Sequence, residues 1–192
     1  MTQETGGFAA FNLNPNILAA VAATGYEEPS AIQQQSIPII MAGKDMIGQA
    51  QTGTGKTAAF ALPILQCIDP AKREPQALIL APTRELALQV ATAFETYAKQ
   101  MPGVTVVAVY GGAPMGPQLK AIRNGAQIVV ATPGRLCDHL RRDEKVLSTV
   151  NHLVLDEADE MLKLGFMDDL EVIFKALPAT RQTVLFSATL PQ

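Results

Sequence analysis

The stretch "GQAQTGTGKTAAF", Gly48–Phe60, carries the reading of this chain. It runs from an apolar strand-like segment into a glycine-containing turn and then into a helical pattern opening on Lys56-Thr57. Phosphate-binding loops end in this way, but their opening glycine is absent, and Ala50 stands in its slot. Gly53 and Gly55 let the backbone turn its N–H groups inward, and the helix start adds the positive end of its dipole. Lys56 can reach the outer phosphates of a nucleotide, and the Thr57 hydroxyl can hold Mg²⁺.

Five further strand-length apolar runs follow "DMIGQ" (45–49): "ALILA" (77–81), "VTVVAVY" (104–110), "QIVVA" (127–131), "HLVLD" (152–156) and "TVLFS" (183–187). Several are apolar at consecutive positions, as parallel strands buried on both faces are. Helical patterns lie at about 15–24, 30–42, 55–67, 83–100, 115–124, 133–142, 157–164 and 168–176. Strands alternating with helices predict an α/β fold, a doubly wound, mainly parallel sheet with helices on both faces. All 192 residues read as one domain. In such sheets ligands bind beyond the carboxyl ends of the strands, which is where the unusual polar residues fall.

"HLVLDEAD" supplies the partner of the phosphate loop. An apolar strand ending in an acid places Asp156 to hold Mg²⁺ through water, and Glu157 can orient and deprotonate an attacking water. Alone these acids would read equally well as an acidic helix start. Together with Lys56 and Thr57 they imply binding and hydrolysis of a nucleoside triphosphate.

Bulk properties set the frame. At 48% apolar and 17% charged residues the composition is that of a globular domain. No apolar run is long enough to span a membrane, and the N-terminus lacks a secretory pattern. Cys67 and Cys137 have no metal-ligand spacing and read as buried or half-buried thiols in a reducing compartment, so a cytoplasmic location is expected. The net charge of −3 argues against a broad basic face for nucleic acid.

"AQTGTGKT", "PTRELA", "GG", "TPGR", "DEAD" and "SAT", in this order, resemble the N-terminal RecA-like domain of the DEAD-box ATP-dependent RNA helicases, most closely the bacterial cold-shock and ribosome-assembly branch. Alanine is common at the loop's first position in that family, which accounts for Ala50. The resemblance implies a RecA-like P-loop NTPase fold, with Gln51, Thr52, Gly53, Thr54, Gly55, Lys56 and Thr57 around ATP. It also implies that "GYEEPSAIQ" belongs to an adenine-reading motif spanning about residues 8–35. Gln33 would bond the adenine edge with both ends of its amide, and Phe8 and Tyr26 would flank the base. Without the motif, Gln33 in "IQQQS" would read as a solvated helix residue.

By the same resemblance, Pro82, Thr83, Arg84, Gly111, Gly112, Thr132, Pro133, Gly134 and Arg135 contact the RNA backbone. Backbone N–H groups and helix starts can bind phosphate without a basic surface, so a net charge of −3 is compatible with weak, salt-sensitive, sequence-nonspecific binding. Ser187 and Thr189 would link the nucleotide to the RNA through hydrogen bonds to the acids around Asp159. The remaining features read as structural: His139 and His152 as packing or surface residues, "RRDEK" (141–145) as a solvated helix end, and the Met and Phe residues of "EMLKLGFMDDLEVIF" as core.

Relatives of this kind carry a second, C-terminal RecA-like domain with arginine fingers, typically worth ~10³–10⁵ in rate. The expectation is therefore a monomeric half-enzyme, nearly inactive alone, from a helicase that separates short RNA duplexes or remodels RNA–protein complexes. Two other readings are an ATP-gated RNA clamp or scaffold with little unwinding, and a P-loop ATPase acting on protein or DNA.

Overall fold

The structure, a computed structural model, describes residues 7–189. All six expected strands form: β1 (Met46–Gln49), β2 (Ala77–Leu80), β3 (Val106–Val109), β4 (Ile128–Ala131), β5 (His152–Leu155) and β6 (Gln182–Ser187). They make one sheet in the order β1-β6-β5-β2-β4-β3, and every neighbouring pair is parallel. Eight α-helices connect and cover it: α1 (Pro15–Ala23), α2 (Ala31–Met41), α3 (Lys56–Cys67), α4 (Arg84–Tyr97), α5 (Met115–Arg123), α6 (Pro133–Arg142), α7 (Ala158–Lys163) and α8 (Met167–Ala176).

Alternation along the strands builds two cores, one on each face. Ile79, Val130, Val154 and Phe186 point to the side covered by α1–α4. Leu78, Leu80, Val129, Leu153 and Leu155 point to the side covered by α5–α8. Full burial of each such side chain is worth about 1.5–3 kcal/mol, which is why these strands can be apolar at every position. Local signals fix the helix starts. The Asn14 side chain accepts from Asn16 N ahead of Pro15, and the Thr83 hydroxyl oxygen accepts from Leu86 N.

Two expectations need correction. Cys67 is exposed, because the end of α3 runs out past the core, while Cys137 is buried. In "EMLKLGFMDDLEVIF" only Met161 of the Met and Phe residues is fully buried. Phe166 and Phe174 are half-buried and Met167 is exposed, since a helix on the face of a sheet buries one stripe only. A 3-10 turn at Gly7–Phe11 precedes α1, although no periodic signal marks it. Among the described residues no helix is long and apolar enough to cross a membrane.

Candidate functional site

The strand order divides the chemistry of the sheet's carboxyl edge. Loops after β1, β6 and β5 carry the phosphate loop, "SAT" and the acids. Loops after β2, β4 and β3 carry "PTREL", "TPGR" and "GG". The halves meet where β5 pairs with β2, and there Asp156 N donates to Leu80 O at 2.9 Å.

Between β1 and α3 the chain turns at Gly53 and Gly55, both at φ 82°. Gly55 leads directly into α3, whose first residues are Lys56 and Thr57. A side chain at Gly55 would be strained by that φ, and its Cβ would lie 2.5 Å from Gln33 Nε2. Gln51, Thr52, Gly53 and Thr54 are exposed, and Thr57 is half-buried. A hollow lined by Gln51, Thr52, Lys56, Glu157, Asp159 and Thr189 joins the loop to the acids.

At the bottom of that hollow Lys56 Nζ lies 2.8 Å from Asp156 Oδ1 and 3.7 Å from Glu157 Oε1. Asp156 is fully buried, and the Lys56 ammonium pairs with it. Apart from that ion pair, both carboxylate oxygens lack a hydrogen-bond partner among the described residues. Burial pushes this carboxyl above the usual carboxylate range, against the pull of the Lys56 charge. Glu157, half-buried, sits at φ 55°, ψ 52° at the start of α7. The left-handed region costs a residue with a side chain about 1–2 kcal/mol, and such strain gathers at working sites.

Gln33 is almost completely buried and faces the loop. Its Oε1 accepts from Ser30 N at 2.8 Å, and its Nε2 donates to Gly55 O at 3.0 Å. The Ser30 hydroxyl donates to Thr54 O at 2.8 Å. The start of α2 therefore holds two carbonyls of the phosphate loop. Ser30 belongs to the quoted "GYEEPSAIQ", and its Ser-x-x-Gln spacing before the helix is a capping box. Gln33 keeps one lone pair and one N–H uncommitted. Phe8 is buried, packed edge-on against Phe11 at 6.1 Å and stacked on Tyr26 at 6.3 Å. Tyr26 is 44% exposed, so of the two flanking aromatics it presents the open surface.

The coupling residues are arranged differently from expectation in one respect. Thr189 donates to Asp159 Oδ2 through its hydroxyl (2.8 Å) and its N–H (3.2 Å), and Ala188 N reaches Oδ1 at 3.4 Å. The Ser187 hydroxyl instead donates to the Thr189 carbonyl, because the chain bends back on itself there. Slight burial raises the Asp159 pKa, but the hydrogen bonds from Thr189 and Ala188, with the Ser187 hydroxyl nearby, outweigh it and hold the carboxyl down at about 2.

On the other half of the edge the three loops touch. The Arg84 guanidinium lies over the Tyr110 ring, 4.8 Å from its centroid. Arg135 Nη1 donates to Ala113 O at 2.6 Å, and its Nε lies 3.8 Å from Asp138. Thr132 and Pro133 open α6 with Gly134 and Arg135 in its first turn, while Thr83 caps α4 just after the buried Pro82. Gly111 and Gly112 are exposed between the two arginines' contacts. This surface combines two helix starts, exposed backbone N–H groups and two arginines, a set of donors suited to phosphates.

Comparison with known proteins adds a second line of observation. A sequence profile of the DEAD/DEAH box helicase family matches residues 30–192. The ATP-dependent RNA helicase DeaD of Escherichia coli (strain K12) is 56% identical over 185 residues, covering 96% of this chain and 29% of the relative. Its namesake in Mycobacterium tuberculosis (strain ATCC 25618 / H37Rv) is 54% identical over 184 residues, covering 96% and 33%. The crystal structure of a DEAD box protein from the hyperthermophile Methanococcus jannaschii superposes with a TM-score of 0.91 at 42% identity, covering 96% of this chain and 50% of that one. The chain thus spans about three tenths of the length of the curated relatives it matches.

Proposed function

The chain belongs to the DEAD/DEAH box helicase family, and from that premise we propose that it is the ATP-binding and RNA-binding half of an ATP-dependent RNA helicase. One observation carries the reading: a phosphate loop with its buried acid and a surface of phosphate-binding loops share one edge of a parallel sheet, on adjoining strands.

In this reading the backbone N–H groups of Gln51–Gly55 and the start of α3 cradle the triphosphate, and Lys56 exchanges part of its pairing with Asp156 for phosphate oxygens. Glu157, held half-exposed, accepts the proton of the attacking water. Gln33 reads the adenine edge with the donor and acceptor left after its bonds to Ser30 and Gly55, and Tyr26 supports the base with Phe8 behind it. The donor set also fits Mg²⁺. Among the described residues no cluster of His, Cys, Asp and Glu forms a closed metal cage, but Asp156 offers buried carboxylate oxygens without hydrogen bonds and Thr57 a hydroxyl. Asp156 and Thr57 would hold Mg²⁺ there, and the ion would supply positive charge to balance that of the phosphates.

RNA lies on Arg84, Gly111, Gly112 and the first turn of α6. Asp159 and Thr189, tied together beside the phosphate loop, form the hinge point between ligand state and domain movement. A C-terminal RecA-like domain, accommodated by the greater length of the relatives, completes the hydrolytic site.

The test is steady-state ATP hydrolysis by this chain, with and without single-stranded RNA, beside the same chain supplemented with a family C-terminal domain. Slow turnover alone, raised by RNA once the second domain is present, supports the reading. RNA-stimulated turnover at full rate from this chain alone overturns the half-site assignment. Turnover indifferent to RNA in both cases overturns the RNA assignment.

A further inference from the structure

We propose that Gln118 and His139 are positioning residues for RNA binding: a buried polar link that fastens the loop after β3 to α6. The proposal rests on the reading of Gly111, Gly112 and Arg135 as RNA contacts.

His139 lies one helical turn beyond Arg135 on α6 and is completely buried. Its Nε2 lies 3.2 Å from Gln118 Oε1, and Gln118 Nε2 donates to Tyr110 O at 3.1 Å. The amide nitrogen must face that carbonyl, so the amide oxygen faces the imidazole, which donates through Nε2–H. Nδ1 is then a bare acceptor and has no hydrogen-bond partner among the described residues. Burial and then the Arg135 charge, with a lesser push from Arg142, lower the His139 pKa against the pull of Asp138.

As a packing device this is a poor choice. A leucine or methionine would fill the space without leaving a buried nitrogen unsatisfied, an arrangement that costs stability. What the polar link does achieve is registration. Arg135 holds Ala113 O at one end of the loop, and His139, through Gln118, holds Tyr110 O at the other. Gly111 and Gly112 lie between these fasteners, in a segment whose glycines would otherwise leave it loose. Holding the Tyr110 backbone also sets its ring, and the ring carries the Arg84 guanidinium. Three loops from three strands thus become one preorganised surface, which lowers the ordering cost when a nucleic-acid backbone docks.

The experiment measures affinity of this chain for a fluorescent single-stranded RNA and for an ATP analogue, with amide hydrogen exchange at 110–113 as the local readout. Gln118→Met weakens RNA about tenfold, the equivalent of one net hydrogen bond, and speeds exchange at Gly111 and Gly112. It leaves the ATP analogue's affinity unchanged. His139→Leu gives the same loss, and the double variant is no worse than either single one, because both cut one link. His139→Gln, which keeps an N–H for Gln118, restores most of the affinity. Should Gln118→Met fail to fold, the His139→Leu and His139→Gln pair reads the same link. Unchanged RNA affinity in these variants, or equal loss of RNA and nucleotide affinity, overturns the proposal. Arg84→Ala runs beside them. If it weakens RNA while Gln118→Met does not, only the positioning role fails. If Arg84→Ala also leaves RNA binding intact, the RNA-binding reading itself fails.

Discussion

Lys56 and Asp156 face each other across 2.8 Å at the floor of the candidate phosphate site, one opening α3 and the other just beyond β5, and both are buried. The pair neutralises itself while no phosphate is present. Removing one partner strands the other, which is the costly way to break a buried ion pair.

Lys56→Ala therefore loses nucleotide binding and about 3 kcal/mol of stability near neutral pH. Without the ammonium the Asp156 pKa, already raised by burial, rises further. The folded variant then holds a proton that the unfolded chain, with a carboxyl near 3.9, has released. Its stability falls as pH rises above about 4, so acidification narrows the deficit. Urea denaturation across pH checks this. A deficit independent of pH would show that the aspartate is not the group left exposed to the cost. Lys56→Met with Asp156→Asn recovers stability without recovering nucleotide.

Glu157 stands in the left-handed region with a full side chain. Glu157→Gly removes steric strain but adds chain entropy to the unfolded state, and the balance is a gain of up to about 1 kcal/mol. Glu157→Gln retains ATP and loses hydrolysis in the two-domain enzyme. Thermal unfolding and single-turnover hydrolysis measure the two effects, and normal turnover by Glu157→Gln would remove its role as base.

Gln33→Ala cuts the tie to Gly55 O as well as any contact with the base. ATP affinity should drop more than tenfold, and inorganic tripolyphosphate affinity by a smaller factor that measures the tie alone. Calorimetry with both ligands separates the two contributions. Equal losses would leave Gln33 as a brace for the loop with no part in reading adenine.

Asp159 offers a titration with a defined sign. Its carboxyl is held at about 2, below the unfolded value near 3.9, so its contribution is present above pH 4 and is lost as pH falls toward 2. In proton NMR the Thr189 and Ala188 amides should shift with a midpoint near 2. Asp159→Asn should abolish that titration, and a midpoint at 4 would mean the hydrogen bonds to Thr189 are not kept in solution.

Arg84→Ala should weaken RNA binding similarly for unrelated sequences and reduce the slope of log affinity against log salt by about one, the signature of a lost phosphate contact. A loss confined to particular sequences would point to base reading instead.

The strands were legible because parallel strands buried on both faces leave uninterrupted apolar runs, as in "ALILA" and "QIVVA". Their order was not, since nothing in "TVLFS" says that it slots between β1 and β5. Lys56, Asp156 and Glu157 could be named because their spacing against strand and helix ends is a local pattern. The bond from the Ser187 hydroxyl to the Thr189 carbonyl was not legible, because it depends on a bend of the chain. His139 reads as a packed residue in the sequence, and it is fully buried. Its polar partner Gln118 lies 21 positions away, and long-range pairing leaves no periodic trace.

The division of the sheet into two sets of three strands bears on how such a domain can diversify. In the proposed reading each ligand would be gripped by loops that the other does not use, and the shared boundary is a ladder of backbone hydrogen bonds between β5 and β2. A lineage can therefore exchange one nucleic-acid client for another by rewriting "PTREL", "GG" and "TPGR" while its fuel chamber is inherited intact.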